Sequence, residues 1–217
     1  MNIIFPGLDI ELDRQVLVLS SAQPLHCLSS AIVGGGILDT RVILNRHVDK
    51  DYDERDPVSE MYAFARRRHI VPPFVGLMTA VPLEKARTAT FADGDLGVAT
   101  VITAGCRNAT AVGASQPFMR SPGTINVILL LDANLTPAAM VNAVITATEA
   151  KTAVLGERRI KTSNGYPATG TSTDAVVVAC TGHGNLLSYA GPATTAGWLI
   201  GRCVRQALQE ALDVYAP

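Results

Sequence analysis

Residues 123–155, GTINVILLLDANLTPAAMVNAVITATEAKTAVL, contain a whole strand-to-helix unit, and their reading decides the fold class. The run from 124 to 131 is short, apolar and rich in β-branched residues, the pattern of a strand buried on both faces. Thr136 followed by Pro137 then opens a helix: a capping hydroxyl precedes proline at the first helical position. Gly156 stops it, so the helix is predicted over 136–155. At about 100° per residue, Val141, Val144, Ile145, Thr148, Thr152 and Leu155 fall on one face, the one expected to be buried.

Downstream, DAVVVAC at 174–180 reads as another buried strand, and a last helix is expected over 195–215. Trp198, Val204, Leu208 and Leu212 should point inward there, and Gly197 and Gly201 would allow close approach to a neighbour. Upstream, strands are predicted at 8–12, 15–20, 25–33 and 37–48, then at 75–81, 87–91 and 96–103. Asp56-Pro57 starts a helix carrying Met61, Phe64 and Ala65, which Pro72-Pro73 should stop. Early strands adjoin one another and later ones alternate with helices. The expected fold is α/β (α+β): one domain over 1–217, with a mixed β-sheet covered by helices and two long helices in the C-terminal half.

Composition narrows the function classes. The 217 residues are 48% hydrophobic and 17% charged, with a net charge of −1, so a sizeable core is expected. The densest basic cluster, at 66–68, lies at a predicted helix C-terminus, where cations offset the dipole. No electrostatic footprint for nucleic acid or an anionic membrane is seen. Apolar runs fall short of the roughly 18 residues of a membrane span. Asp9, Glu11, Asp13 and Arg14 break up any signal-peptide core, so a cytoplasmic location is expected. Cys27, Cys106, Cys180 and Cys203 form no CxxC pair and read as free thiols. The apolar composition is compatible with a homodimer.

Phosphate-binding loops, nucleophile elbows, HExxH and dinucleotide fingerprints are absent. His26, His47, His69 and His183 lack ligand spacing, so no metal site is expected. What recurs is an apolar strand whose end carries glycine beside small polar residues: Ser29 and Ser30 with Gly34, Gly35 and Gly36; Thr103, Gly105 and Asn108; Gly123, Thr124 and Asn126; Gly170, Thr171, Ser172, Thr173 and Asp174. Singly, each is ordinary turn chemistry. Together they point to a shared ligand cleft, in which glycine frees backbone amides and the side chains supply neutral hydrogen-bonding groups. Asn45 and His47 close a predicted strand and join the binding set. Two long loops without hydrophobic periodicity, 106–123 and 157–173, support a functional reading. Between Thr136 and Gly156 the only charged residues are Glu149 and Lys151. A lone carboxylate on so apolar a helix is expected to be partly buried and suited to proton transfer.

Residues 30–36 (SAIVGGG), 41–48 (RVILNRHV), Thr79-Ala80, 103–113 (TAGCRNATAVG), 124–126 (TIN), 146–153 (TATEAKTA) and 169–174 (TGTSTD) occur in one order along nearly the whole chain. In that order they resemble the adenosylcobinamide amidohydrolase family of corrinoid salvage. The resemblance implies hydrolysis of the amide between the aminopropanol arm and the corrin ring, giving adenosylcobyric acid and the amino alcohol. It implies no cofactor, the cobalt being carried by the corrinoid substrate.

Amide hydrolysis needs a nucleophile, oxyanion donors and a proton for the leaving amine. The first candidate is water activated by Glu149 or Asp174, with Lys151 orienting the carboxylate. Backbone amides near Gly170 and Thr171, or Gly123 and Thr124, would form the oxyanion hole, and Asn45, Asn108 and Asn126 would hold the substrate's amide fringe. The second is a threonine nucleophile, Thr171 or Thr124, which as an N-terminal nucleophile would require cleavage after Gly170 or Gly123. A non-catalytic corrinoid carrier or chaperone, or a hydrolase of another amide, are the rival readings.

Overall fold

A computed structural model describes residues 5–116 and 123–215. The chain order is β1 (Leu8–Leu12), β2 (Val16–Ser29), β3 (Gly36–His47), α1 (Pro57–Arg67) and β4 (Val75–Thr79). A 3-10 turn, Leu83–Lys85, leads to β5 (Arg87–Asp93), β6 (Leu96–Ala104) and β7 (Ala109–Thr110). Then come β8 (Ile125–Asp132), β9 (Asn134–Leu135), α2 (Pro137–Glu157), β10 (Gly170–Thr171), β11 (Ala175–Cys180), β12 (Leu186–Leu187) and α3 (Thr195–Tyr215). The main sheet runs β4-β3-β2-β11-β8-β6-β5, with β1 alongside β2. The β3/β4 and β8/β11 pairs are parallel and the other pairs antiparallel, so the sheet is mixed, as the sequence predicts.

The two short strands predicted at 15–20 and 25–33 are one 14-residue strand, β2, whose pairing with β3 shifts between Ser20 and Leu25. Pro24 lies inside that irregularity, where its missing N–H costs no ladder bond. The irregularity lets the sheet double back. The first half of β2, the second half of β3 and β4 lie over β6, β8 and β11, and Leu17, Leu19, Ile43 and Leu77 share a core with Val101, Ile128, Leu130 and Val177.

The outer face of the first layer, with Val16, Val18 and Leu44, packs on Met61 and Phe64 of α1. The outer face of the second, with Val127, Leu129 and Leu131, packs on α2 and α3. The unbroken apolar run of β8 is thereby explained: alternate residues face different cores, and both are dry.

Asp56 caps α1 by accepting from the Ser59 amide at 3.0 Å. The helix ends at Arg67, where His69 turns to a φ of 57°, before the proline stop is reached. Thr136 caps α2, accepting from the Ala139 amide at 3.1 Å. The buried face of α2 differs from the expected one. Ala139, Ala143, Ala147 and Ala150 are buried, whereas Val141 and Ile145 are 49% and 48% exposed. Small side chains let the helix lie close to the sheet and α3, so packing distance rather than hydrophobicity selected the face.

On α3, Val204, Leu208 and Leu212 are inward as predicted, but Trp198 is half exposed beneath the Arg202 guanidinium. Gly197 does permit a close approach: a Cβ there would lie 2.0 Å from the Gly191 carbonyl oxygen. Around Gly201 nothing lies within 4 Å of that position. The two long loops are not structureless, because β7 and β10 pair with each other across them. No helix among the described residues is long and apolar enough to cross a membrane.

Candidate functional site

Strands β8 and β11 are parallel neighbours with Asn126 opposite Ala175, so Gly123, Thr124 and Asp174 enter the sheet at the same end. Strand β6 is antiparallel to β8 and places Thr103 opposite Asn126, which brings the following loop to that end too. The β7–β10 pair then lays Gly170 and Thr171 against Thr110 and Ala109. Three of the four glycine-containing segments therefore converge through strand order alone.

Asp174 is the hub. Its Oδ2 pairs with Lys151 Nζ and accepts from the Thr171 amide at 3.1 Å. Its Oδ1 accepts from the Ile125 amide at 3.0 Å and from the Thr171 hydroxyl. These four donors match the roughly four lone-pair sites of a carboxylate. The Lys151 side chain, 8% exposed, enters from α2, and the partner carboxylate is what permits an ammonium at that depth. A Cβ on Gly170 would lie 2.5 Å from Asp174 Oδ2 and 2.8 Å from Lys151 Nζ, so only glycine lets this pair rest on the backbone. Cys106 borders the pair. Burial, and then the Asp174 charge, push its thiol up to about 11, while Lys151 pulls the other way.

A second layer of bonds ties the loops together. Asn108 Nδ2 donates to the Gly123 carbonyl and to Ser172 Oγ, both at 2.7 Å. Thr173 Oγ1 donates to the same carbonyl at 2.7 Å, Thr124 Oγ1 donates to the Thr173 carbonyl at 2.8 Å, and the Gly105 amide donates to the Thr124 carbonyl at 2.9 Å. Gly123, at φ 145°, is required here, since a Cβ would lie 2.1 Å from Asn108 Oδ1. Outside this ring an open depression of about 280 Å³ is lined by Thr110, Val112, Ser115 and Ser172, among others.

The structure redistributes several expected roles. Asn45, Asn126 and Thr103 are buried and satisfy one another: Asn45 Nδ2 donates to Thr103 Oγ1 at 3.1 Å, and Asn126 Nδ2 donates to Asn45 Oδ1 at 3.0 Å and to the Met78 carbonyl at 2.8 Å. They brace the two sheet layers instead of presenting amides to a ligand. Glu149 is exposed, contrary to the partly buried carboxylate expected, and it lies outside the Asp174 cluster. The Thr171 amide, one of the expected oxyanion donors, and the Ile125 amide both bond Asp174.

Gly34, Gly35 and Gly36 form the β2–β3 turn; Gly34 presses on Phe74, where a Cβ would lie 2.5 Å from the backbone oxygen. Ser30 continues the strand ladder, its hydroxyl accepting from the Val176 amide at 3.0 Å. His47, half-buried, ends β3 two residues beyond Asn45. Sequence reading includes Ser172 in the Gly170–Asp174 segment without giving it a role of its own, and does not name Thr152 as a site residue, whose hydroxyl donates to the Thr169 carbonyl at 3.1 Å. Among the described residues no group of three or more His, Cys, Asp or Glu side chains is placed to hold a metal ion.

Comparison with known proteins adds the family. A family model described as adenosylcobinamide amidohydrolase matches residues 5–216. The adenosylcobinamide amidohydrolase of Methanosarcina mazei is 32% identical over 191 residues, which cover 84% of this chain and 88% of that protein. The protein of the same name from Halobacterium salinarum is 38% identical over 144 residues, 63% of this chain and 58% of that one. Among solved structures, a β-aminopeptidase of Burkholderia sp. superposes with a TM-score of 0.52 at 16% identity, over 95% of this chain and 84% of that chain, a likeness of fold alone. The chain belongs to the adenosylcobinamide amidohydrolase family.

Proposed function

We propose that this protein hydrolyses the amide joining the aminopropanol arm to the corrin ring of adenosylcobinamide, with Thr171 as the attacking hydroxyl. The observation that carries the mechanism is the Thr171 hydroxyl bonded to Asp174, itself held by Lys151. That is the arrangement of nucleophile, base and orienting group found in covalent acyl transfer. The water route is disfavoured, because Asp174 has its acceptor sites occupied and Glu149 stands apart.

In the proposed reaction the Thr171 oxygen bonds to the amide carbon as its proton passes to Asp174. Collapse of the tetrahedral intermediate breaks the C–N bond, and the proton leaves with the amine of the amino alcohol. A threonyl ester of the corrinoid acid remains. Water then attacks that ester, the same carboxylate relaying its proton, and Thr171 is restored with release of adenosylcobyric acid. Lys151 keeps the carboxylate in place throughout. Cobalt stays with the substrate. The depression, which Ser172 lines and Thr171 does not, would take part of the substrate's periphery, with the bulk of a corrinoid on the open surface beyond it.

The test is incubation with adenosylcobinamide and mass detection of adenosylcobyric acid. Thr171→Ala should lower turnover by about a thousandfold or more, while Thr171→Ser retains most of it. Unchanged turnover in Thr171→Ala would remove Thr171 as the nucleophile. Binding of adenosylcobinamide without any product would replace the hydrolase by a carrier.

A further inference from the structure

The hydroxyls at this end of the sheet differ in where their protons go. Thr124 donates to the Thr173 carbonyl, Thr171 to Asp174 and Thr173 to the Gly123 carbonyl. Ser172 is different. The Asn108 side-chain atom that contacts it also contacts the Gly123 carbonyl oxygen, each at 2.7 Å. A carbonyl only accepts, so that atom is the amide nitrogen and Ser172 Oγ must accept as well. The Ser172 proton is left to point elsewhere. Ser172 is exposed, lines the depression and follows Thr171 directly in the chain.

Acyl transfer at Thr171 requires a donor for the developing oxyanion. The nearby backbone amides of Thr171 and Ile125 are bound to Asp174, and that of Gly105 to the Thr124 carbonyl. The Ser172 hydroxyl is a side-chain group able to supply that donor. Ser172 sits in a turn clamped on both sides, by Thr171 on Asp174 and by Thr173 on Gly123, so its hydroxyl is held in place before substrate arrives.

We infer that Ser172 is a further catalytic residue, whose hydroxyl, oriented by Asn108, donates a hydrogen bond to the oxygen of the scissile carbonyl and strengthens it as that oxygen becomes negative. The inference rests on the amidohydrolase reading above. No bond is made or broken at Ser172, and its proton stays on Oγ throughout.

The experiment compares wild type, Ser172→Ala and Ser172→Thr for kcat and KM on adenosylcobinamide, with substrate affinity measured separately by equilibrium dialysis. Loss of one oxyanion donor lowers kcat by about 100- to 1000-fold. Ser172→Ala should show that loss with KM and affinity within a few fold of wild type, and Ser172→Thr should recover most of it. Wild-type kcat in Ser172→Ala overturns the inference. So does a loss confined to KM and affinity, or one that Ser172→Thr fails to recover. If wild type itself releases no adenosylcobyric acid, the amidohydrolase reading falls first and Ser172 falls with it.

Discussion

Gly170 has no room for a methyl group, and the reason is the charge pair packed on its α-carbon. Gly170→Ala should push Lys151 and Asp174 apart, lowering turnover by at least about tenfold. It should also cost about 1–3 kcal/mol of stability, the usual range for overpacking a tight site. Steady-state kinetics and urea unfolding read the two effects, and a fully active, fully stable variant would show that the pair tolerates displacement. At this scale much is legible in the sequence. Residue type and spacing mark Thr171 and Asp174 as cleft residues, the reaction implied by the family resemblance makes them and Lys151 catalytic candidates, and all three meet in the fold. Glu149 is not separable from Lys151 in the sequence, since both are isolated charges on an apolar helix. Two residues along a helix turn the side chain by about 200°, and only the packing shows which of the pair faces inward. Asn45, Asn108 and Asn126 likewise carry the same amide, but Asn45 and Asn126 find each other while Asn108 faces the active turn.

The elements are legible where sequence pattern and burial agree. Strand β8, the caps of α1 and α2 and the span of α3 follow from local chemistry. The buried face of α2 does not, because alanine reads as neutral in periodicity yet fits best where a helix lies close to a sheet. Strands β7 and β10, two residues each, are hidden because their pairing is non-local.

Helix α1 is tied to β3 by Arg46, which bonds Glu60 at 2.6 Å. The Arg46 hydrogen bond holds the Glu60 carboxyl below its ordinary 4.5, with burial opposing and the Tyr52 hydroxyl adding to it. A lowered folded pKa means that this stabilisation is present above about pH 4.5 and is lost as pH falls through the lower folded value. Glu60→Gln should therefore flatten the dependence of thermal midpoint on pH in that acid window. Parallel wild-type and variant curves between pH 6 and 3 would count against it.

At the scale of the molecule, the doubled sheet sets the candidate site where β6, β8 and β11 meet the loops, with α2 delivering Lys151 from one side. An internal Thr171 hydroxyl needs no chain cleavage. Intact-mass measurement of active enzyme should give one species of about 22.9 kDa for these 217 residues. Fragments starting at Thr171 or Thr124 would restore the N-terminal nucleophile route.

The sequence by itself determined the mixed α+β class, the order of the long strands and helices, and the glycine-bearing segments that make up the candidate site. Periodicity, caps and turn residues are local properties, so they can be read along a line. Tertiary structure alone decided that β2 would double the sheet back, that Lys151 would enter the site and Glu149 stay in solvent, and that the Ser172 hydroxyl would face outward. Each of those depends on partners far away in the chain, and residues brought together by folding choose their contacts by geometry that no local window contains.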